Sequence, residues 1–400
     1  MAPTQATETG FDVRRLSTVG RELWRRYGSE AKLTNARKLH AAATGGAQTV
    51  EAYPWRIVLE PGNICNLRCC TGRARTEPLA RGFLQRADAE RFLDELWPHL
   101  VQVNLFNWGE PLLNRELPEI IASIHGRGVG TQIHSNLNHL PDGLAERLVE
   151  SGLDFLVGSI DGATQDTYAT YRRGGSCERA LANLRRMVEV RRALGRQTPR
   201  IVWRFLCFPH TCTDTSGPQL AAELEVDDLA LGEGALDGQV YNEHGLKGSC
   251  QVDEKQPPYC TDLYDFPVIH FDGTLLPCCV VGEQRFAWGD LKRQSFLDAF
   301  NGEEFRAGRR LVHGDTDVGS ACRGYSRVPR KTHEDQHGAR GTRGGKEARS
   351  QNEEKTPPRA AEPHFDFWYL IFSIFILLYP LRVFRVIRAV LKGSGIDGGG

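Results

Sequence analysis

Several things are missing from this 400-residue chain. Residues 1–30 hold no apolar run of seven or more, so no secretory signal is expected and the chain reads as intracellular. Net charge is absent, with fifty basic side chains against fifty acidic ones. That argues against a nucleic-acid binder held by bulk positive charge. No Gly-x-Ser-x-Gly or P-loop fingerprint occurs. There is no internal repeat. Cysteine, in contrast, is plentiful: eleven residues are too many to pass over and too few for a disulfide-stapled miniprotein. In a reducing cytosol, clustered cysteines point to metal or redox chemistry.

The chain divides by pattern. Residues 1–50 are basic and helix-like, with Val13, Leu16, Val19, Leu23 and Trp24 at helical spacing. They read as a helix packed on the main domain or as a membrane-surface or partner helix. From 51 to 235, short apolar runs at 56–60, 102–106, 130–134, 154–160, 200–206 and 227–231 read as strands. Amphipathic stretches near 86–97, 115–127, 141–151, 177–194 and 217–225 lie between them. This is the rhythm of repeated βα units and implies a parallel sheet, either open and doubly wound or a partial barrel. Six units fall short of the eight that close a full barrel, and chemistry belongs at the C-terminal strand ends. Residues 250–326 form a smaller cysteine-bearing unit. Residues 327–363 are rich in charge, Gly and Pro and nearly free of large apolar side chains, so they read as a disordered linker.

Residues 364–392 end the chain in an apolar, then amphipathic, tail. The strongly apolar part, 365–381, would span roughly 25 Å as a helix, short of the ~30 Å hydrocarbon core. Arg382, Arg385, Arg388 and Lys392 follow. An anchor lying on the membrane is favoured over a span, because a span would put the cysteine-rich domain outside; a buried core helix is the remaining reading. Charge is distributed to match. Residues 1–50 carry eight basic and four acidic side chains, residues 327–400 thirteen and eight, and the stretch between them 29 and 38. Basic ends on an acidic body suit an anionic membrane surface or acidic partner.

Two groups of cysteines carry the chemistry. Cys65, Cys69 and Cys70 fall in the Gly/Asn-rich stretch directly after the first strand, where a parallel α/β domain keeps its reactive site. Thiolates are soft donors that suit an iron–sulfur cluster or zinc. Asn107-Trp108-Gly109-Glu110-Pro111 follows the second strand: Gly109 permits close approach of backbone to ligand, and Glu110 offers a carboxylate to an ammonium. His134-Ser135-Asn136 ends the third strand, and His134 there reads as a core or cofactor-adjacent side chain. Ser159-Ile160-Asp161-Gly162 ends the fourth, with Arg172 soon after. The second group comprises Cys260, Cys278, Cys279 and Cys322. Cys177, Cys207, Cys212 and Cys250 match no pattern.

The ordered series resembles the radical S-adenosylmethionine (radical SAM) enzymes over residues 55–231. Cys65-Asn66-Leu67-Arg68-Cys69 matches the first half of the family's Cys-x3-Cys-x2-Cys loop, but the third cysteine is Cys70 rather than residue 72. The loop reads as the family's with two residues deleted. Residues 107–111 resemble the Gly-Gly-Glu-Pro turn, with Trp108 in place of the first Gly. The spacing Cys260-x12-Gly273-x4-Cys278 is similar to the SPASM/twitch extension found after many radical SAM cores, although Tyr325 stands where a closing cysteine would be expected.

The resemblance implies a partial (β/α)6 TIM-like barrel with a small cysteine-bearing α+β auxiliary domain. It implies a [4Fe–4S] cluster on Cys65, Cys69 and Cys70, and SAM contacts from Gly109, Glu110, Ser135, Asn136, Ser159, Asp161 and Arg172. An auxiliary iron–sulfur cluster would sit on Cys260, Cys278, Cys279 and Cys322. The reaction would be reductive SAM cleavage, with hydrogen abstraction from a peptide, cofactor-precursor or sugar-type substrate and flavodoxin or ferredoxin as reductant. No nucleic-acid partner is expected, and the setting would be cytoplasmic, membrane-associated through the tail. Two other readings stay open: a degenerate, non-catalytic binding or scaffold protein of the same fold, and a zinc-stabilised α/β protein.

Overall fold

The computed structural model describes residues 10–69, 80–208, 211, 216–236, 239–241, 259–279, 281, 286–315, 318, 320 and 322. Its core is six strands: β1 (Arg56–Leu59), β2 (Gln102–Leu105), β3 (Gly130–Ser135), β4 (Phe155–Ser159), β5 (Arg200–Cys207) and β6 (Asp228–Leu236). Each pairs in parallel with the next. The crossovers carry α3 (Arg86–Phe92), α4 (Leu117–Gly126), α5 (Leu144–Glu150), α6 (Gln165–Tyr171), α7 (Cys177–Ala193) and α8 (Gly217–Glu223). Of these only α6 escapes the hydrophobic pattern, being short and polar. It starts on a capping box in which Thr164 and Thr167 each accept from the other's backbone.

Alternation explains why these segments form strands. Ile57, Val103, Leu105, Ile133, Leu156, Ile201 and Trp203 join the helix-facing core with Ile120, Leu148, Leu184 and Met187. The positions between them place polar side chains on the other face. There Gln102 donates to Asn104 Oδ1 at 2.7 Å, and Gln132 Nε2 lies 2.8 Å from His134 Nε2. Both faces are buried, as a parallel sheet requires, and the inner one mixes these polar side chains with Val58, Phe155 and Val157.

The sheet does not close. Its order is β10-β9-β8-β1-β2-β3-β4-β5-β6-β7, so β1 and β6 are not neighbours and the barrel is partial. The cysteine-bearing unit extends this sheet. β8 (Val268–Ile269) runs parallel to β1, and β9 (Thr274–Leu276) and β10 (Gly289–Asp290) add antiparallel beyond it. α9 (Asp262–Asp265), α10 (Phe296–Phe300) and α11 (Glu303–Val312) surround them, and β7 (Gln239–Tyr241) caps the opposite edge.

The N-terminal segment forms α1 (Thr18–Tyr27) and α2 (Glu30–Thr44). Leu23 and Trp24 are buried against Trp55, Val101 and Phe155, which stand at the N-terminal strand ends. Of the two readings of this segment, packing on the main domain is the one the fold adopts. α1 plugs the end of the barrel away from the expected chemistry. Leu23→Ala should therefore cost about 2–5 kcal/mol of stability, as for other fully buried leucines. Urea unfolding checks this. No helix among the described residues is long and apolar enough to cross a membrane. The linker and tail, 327–392, lie outside the described residues.

Candidate active site

Two loops meet at the C-terminal end of the sheet, one after β1 and one after β2. Glu110 N donates to Ile64 O at 2.9 Å, and Trp108 N donates to Glu60 Oε1 at 3.2 Å. Gly109 is where the loops touch. A Cβ there would lie 2.0 Å from Gly62 O and 3.0 Å from Asn63 Cα. The close approach that this glycine permits is thus to the chain's own cysteine loop. The Glu110 carboxylate is buried and turned inward. It accepts from Ser135 Oγ at 2.7 Å, Asn136 N at 2.8 Å and Leu112 N at 3.1 Å. Desolvation by burial pushes its pKa up, and these three donors oppose that shift. Glu110 therefore ties the loop after β2 to the end of β3.

The two described thiols of the first group lie in this mouth, each facing an amide or guanidinium donor from a distant part of the chain. Asn136 Nδ2 is 3.8 Å from Cys65 Sγ and donates to Asn66 Oδ1 at 2.8 Å. Leu67 N donates to Cys65 Sγ at 3.5 Å. Arg172 Nη1 is 3.9 Å from Cys69 Sγ, while its Nε donates to Asp161 Oδ2 at 2.5 Å. Asp161 Oδ1 accepts from Leu206 N at 2.8 Å. Burial pushes the Cys65 thiol up to about 11 and raises Cys69 as well, against the pull of Arg172. Empty of metal, these sulfurs stay protonated at neutral pH, so loading a metal centre would release protons. Cys70 lies outside the described residues.

Ser159 and His134 face the same lumen. Ser159 Oγ accepts from Arg204 Nη2 at 3.2 Å. His134 stacks on Phe106 with centroids 3.9 Å apart, and burial holds its pKa well below the ordinary imidazole value. The neutral ring is part of the lining, in line with the sequence reading of a core or cofactor-adjacent side chain.

In the auxiliary unit, Cys260 precedes α9, Cys278 and Cys279 follow β9, and Cys322 lies beyond α11. Burial drives the Cys278 thiol well above its usual pKa, and Asp262, Cys279, Cys260 and Cys322 all add to that shift. The four cysteines, drawn from three separate stretches of the chain, are therefore within electrostatic range of one point. Among the described residues no three His, Cys, Asp or Glu side chains stand at metal-holding geometry. The donor set itself, buried sulfurs with amide donors around the first group, suits a thiolate-bound cluster. Cys177 and Cys207 are packed in the apolar core; Cys212 and Cys250 lie outside the described residues.

A link between the two cysteine groups is absent from the sequence reading. Glu60 and His270 are both buried and approach as an ion pair at 2.8 Å, with the ring N–H off the line of the carboxylate oxygen. His270 Nδ1 lies 3.0 Å from Asp272 Oδ1, which also accepts from Thr274 N at 3.0 Å. Burial alone would lower the His270 pKa, but its contacts with Asp272 and Glu60 outweigh this and raise it to about 9. The stabilisation is full below the unfolded value near 6.5 and is lost as pH rises through 9, roughly 3 kcal/mol in all. The unfolding midpoint of the wild type should fall between pH 6.5 and 9.5, and His270→Gln should flatten that fall. Midpoints at half-unit pH steps check this. A buried acid at the end of β1 was the available signal; its partner, 210 residues on, was not visible.

Family comparisons agree with this layout. The model of the radical SAM superfamily matches residues 59–194, and that of the SPASM iron–sulfur cluster-binding domain matches residues 260–324. Among curated proteins, AdoMet-dependent heme synthase of Methanosarcina barkeri is 32% identical over 123 residues, 30% of this chain and 35% of that protein. Fe-coproporphyrin III synthase of the same organism is 27% identical over 121 residues, 30% of each chain. The matched region thus spans about a third of these relatives' lengths. Among solved structures, Streptococcus suis SuiB bound to S-adenosylmethionine superposes with a TM-score of 0.53 at 16% identity, covering 70% of this chain and 72% of that one. SuiB bound to its precursor peptide SuiA gives 0.50 at 15% identity, covering 70% and 71%. At such identities the likeness is one of fold.

Proposed function

The chain is a member of the radical SAM superfamily with a SPASM extension, and from that premise we propose that it is an enzyme that cleaves SAM reductively and abstracts hydrogen from a small-molecule substrate. One observation carries the reading. Cys65 and Cys69 and two side-chain NH donors, from Asn136 and Arg172, converge on one mouth at the C-terminal ends of the parallel strands. In this reading Cys65, Cys69 and Cys70 hold the catalytic [4Fe–4S] cluster, and Cys260, Cys278, Cys279 and Cys322 hold an auxiliary one. When bound, cluster and SAM would supply one-electron reductive cleavage of the sulfonium C–S bond, releasing methionine, and the hydrogen-atom abstraction from substrate that follows, with the electron drawn from a reductant such as flavodoxin or ferredoxin.

The chain's own residues orient and seclude. Asn136 and Arg172 direct NH groups at the sulfurs, which favours the more negative, reduced state of a cluster. Asp161 fixes Arg172, and Glu110 fixes Ser135 and Asn136. Ser159 presents its hydroxyl to the lumen beside Arg204. Glu60 and His270 bind the cysteine loop to the auxiliary unit. Of the three substrate classes expected, the cofactor-precursor class is favoured, since both curated relatives are tetrapyrrole-forming by name.

Anaerobic reconstitution of the full chain, followed by iron, sulfide and zinc analysis and a reductive SAM-cleavage assay, tests the reading. About eight irons with deoxyadenosine release are expected for two four-iron clusters. Stoichiometric zinc without iron would sink the proposal in favour of the zinc-stabilised protein. Iron without SAM cleavage would favour the non-catalytic scaffold.

A further inference from the structure

Arg204 sits on β5 between Trp203 and Phe205, which both pack into the helix-facing core. Strand alternation puts Arg204 on the opposite face, inside the barrel. Its Nη2 donates to Ser159 Oγ on β4 at 3.2 Å, and its Nη1 lies 3.5 Å from His134 Nδ1 on β3. Its Nε is buried and has no hydrogen-bond partner. No carboxylate among the described residues pairs with it. The acid in the loop just after β4, Asp161, is committed to Arg172 at 2.5 Å and to Leu206 N at 2.8 Å.

Arg204 is half-buried, with its Nε out of reach of solvent, and a guanidinium so placed carries a desolvation cost. Taking an ion out of water costs several kcal/mol unless an opposite charge and hydrogen bonds compensate it. Here one serine hydroxyl, one neutral imidazole and the attraction of Asp161 do part of that, and Arg172 nearby adds repulsion. The rigid fork of an arginine matches a carboxylate bidentately, which neither Ser159 nor His134 can imitate. The uncommitted Nε is what such a second contact would use. A leucine or methionine would line the lumen at less cost if packing were the only role.

We propose that Arg204, flanked by Ser159 and His134, is a carboxylate-binding subsite inside the barrel mouth, completed when a ligand supplies the missing anion. The inference rests on the reading of this mouth as a cofactor and substrate site. The carboxylate has two candidate sources, the methionine end of the cofactor and an acid group on the substrate. Both offer the same planar anion.

Binding to the reconstituted full chain separates them. The probes are SAM, decarboxylated SAM, coproporphyrin III and coproporphyrin III tetramethyl ester, titrated into wild type, Arg204→Gln and Arg204→Lys. Arg204→Gln should lose tenfold or more in affinity for one acid form and bind the matching carboxylate-free probe as wild type does. Loss confined to SAM assigns the subsite to the cofactor; loss confined to coproporphyrin III assigns it to the substrate. Acid forms bound by Arg204→Gln within twofold of wild type would overturn the inference, as would equal weakening of acid and neutral probes. Arg204→Lys keeps the charge without the fork and should show the same split at a smaller ratio, which preserves the test if the glutamine variant does not fold. Wild type binding none of the four would overturn the functional reading itself, and this inference with it.

Discussion

Gly109→Ala should lower stability by roughly 3–5 kcal/mol and leave the chain unable to load iron at the first cysteine group. The added methyl would sit 2.0 Å from the Gly62 carbonyl oxygen, which is backbone and cannot rotate away. Relief requires the loops after β1 and β2 to part. Overpacking of this kind costs ~1–3 kcal/mol. Parting also breaks the bonds from Glu110 N to Ile64 O and from Trp108 N to Glu60 Oε1, at about 1 kcal/mol each. Cys65 follows Ile64 directly, so the displacement reaches the thiol. Denaturant unfolding and iron content measured on the same preparation check both halves. A variant as stable as wild type with full iron would show that the two loops are not held by this contact.

Cys65→Ala should abolish deoxyadenosine release and remove about half of the bound iron, leaving the auxiliary share. Cys65 is the sulfur most fully furnished with donors, from Leu67 N and Asn136 Nδ2. Alanine removes the sulfur but not the fold, because a half-buried thiol in a loop contributes little packing. Cys70→Ala is the informative companion. Neighbouring side chains diverge, so Cys69 and Cys70 serve one cluster only if the loop bends around them. Loss of the same iron in Cys70→Ala would establish Cys70 as the third ligand. Iron retained in both variants would sink the assignment of the cluster to this loop. Iron and sulfide analysis with single-turnover SAM cleavage reads all of these outcomes.

The strands and most crossover helices were readable because each is a local matter. Residues 102–106 alternate, and residues 177–194 repeat at helical spacing, so each segment announces its own period. The helix α6 was not readable, since Gln165–Tyr171 relies on its cap and on Tyr168 packing beneath it rather than on an apolar stripe. The union of the cysteine unit with the main sheet was equally invisible. β8 is two residues long, and its pairing with β1 crosses about 210 positions. Arg204 was hidden by its own strand: in 200–206 it reads as the polar alternate of a half-exposed strand, and only the assembly of the sheet into a partial barrel makes that face an interior.

By itself the sequence determined the βα rhythm, the place of the first cysteine group after β1, and the order of the polar strand ends around it. These follow from hydrophobic period and from cysteine chemistry, both encoded within a few residues. Tertiary structure alone decided which partners within the chain these polar groups meet. Glu110 and Arg172, expected from the sequence as ligand contacts, are also engaged within the chain, by Ser135 and Asn136 in one case and by Asp161 and Cys69 in the other. Arg204 looks like nothing, yet its Nε is left without a partner in the lumen. Whether such a charge is satisfied depends on residues 11 to 103 positions away, and that pairing exists only once the strands lie side by side.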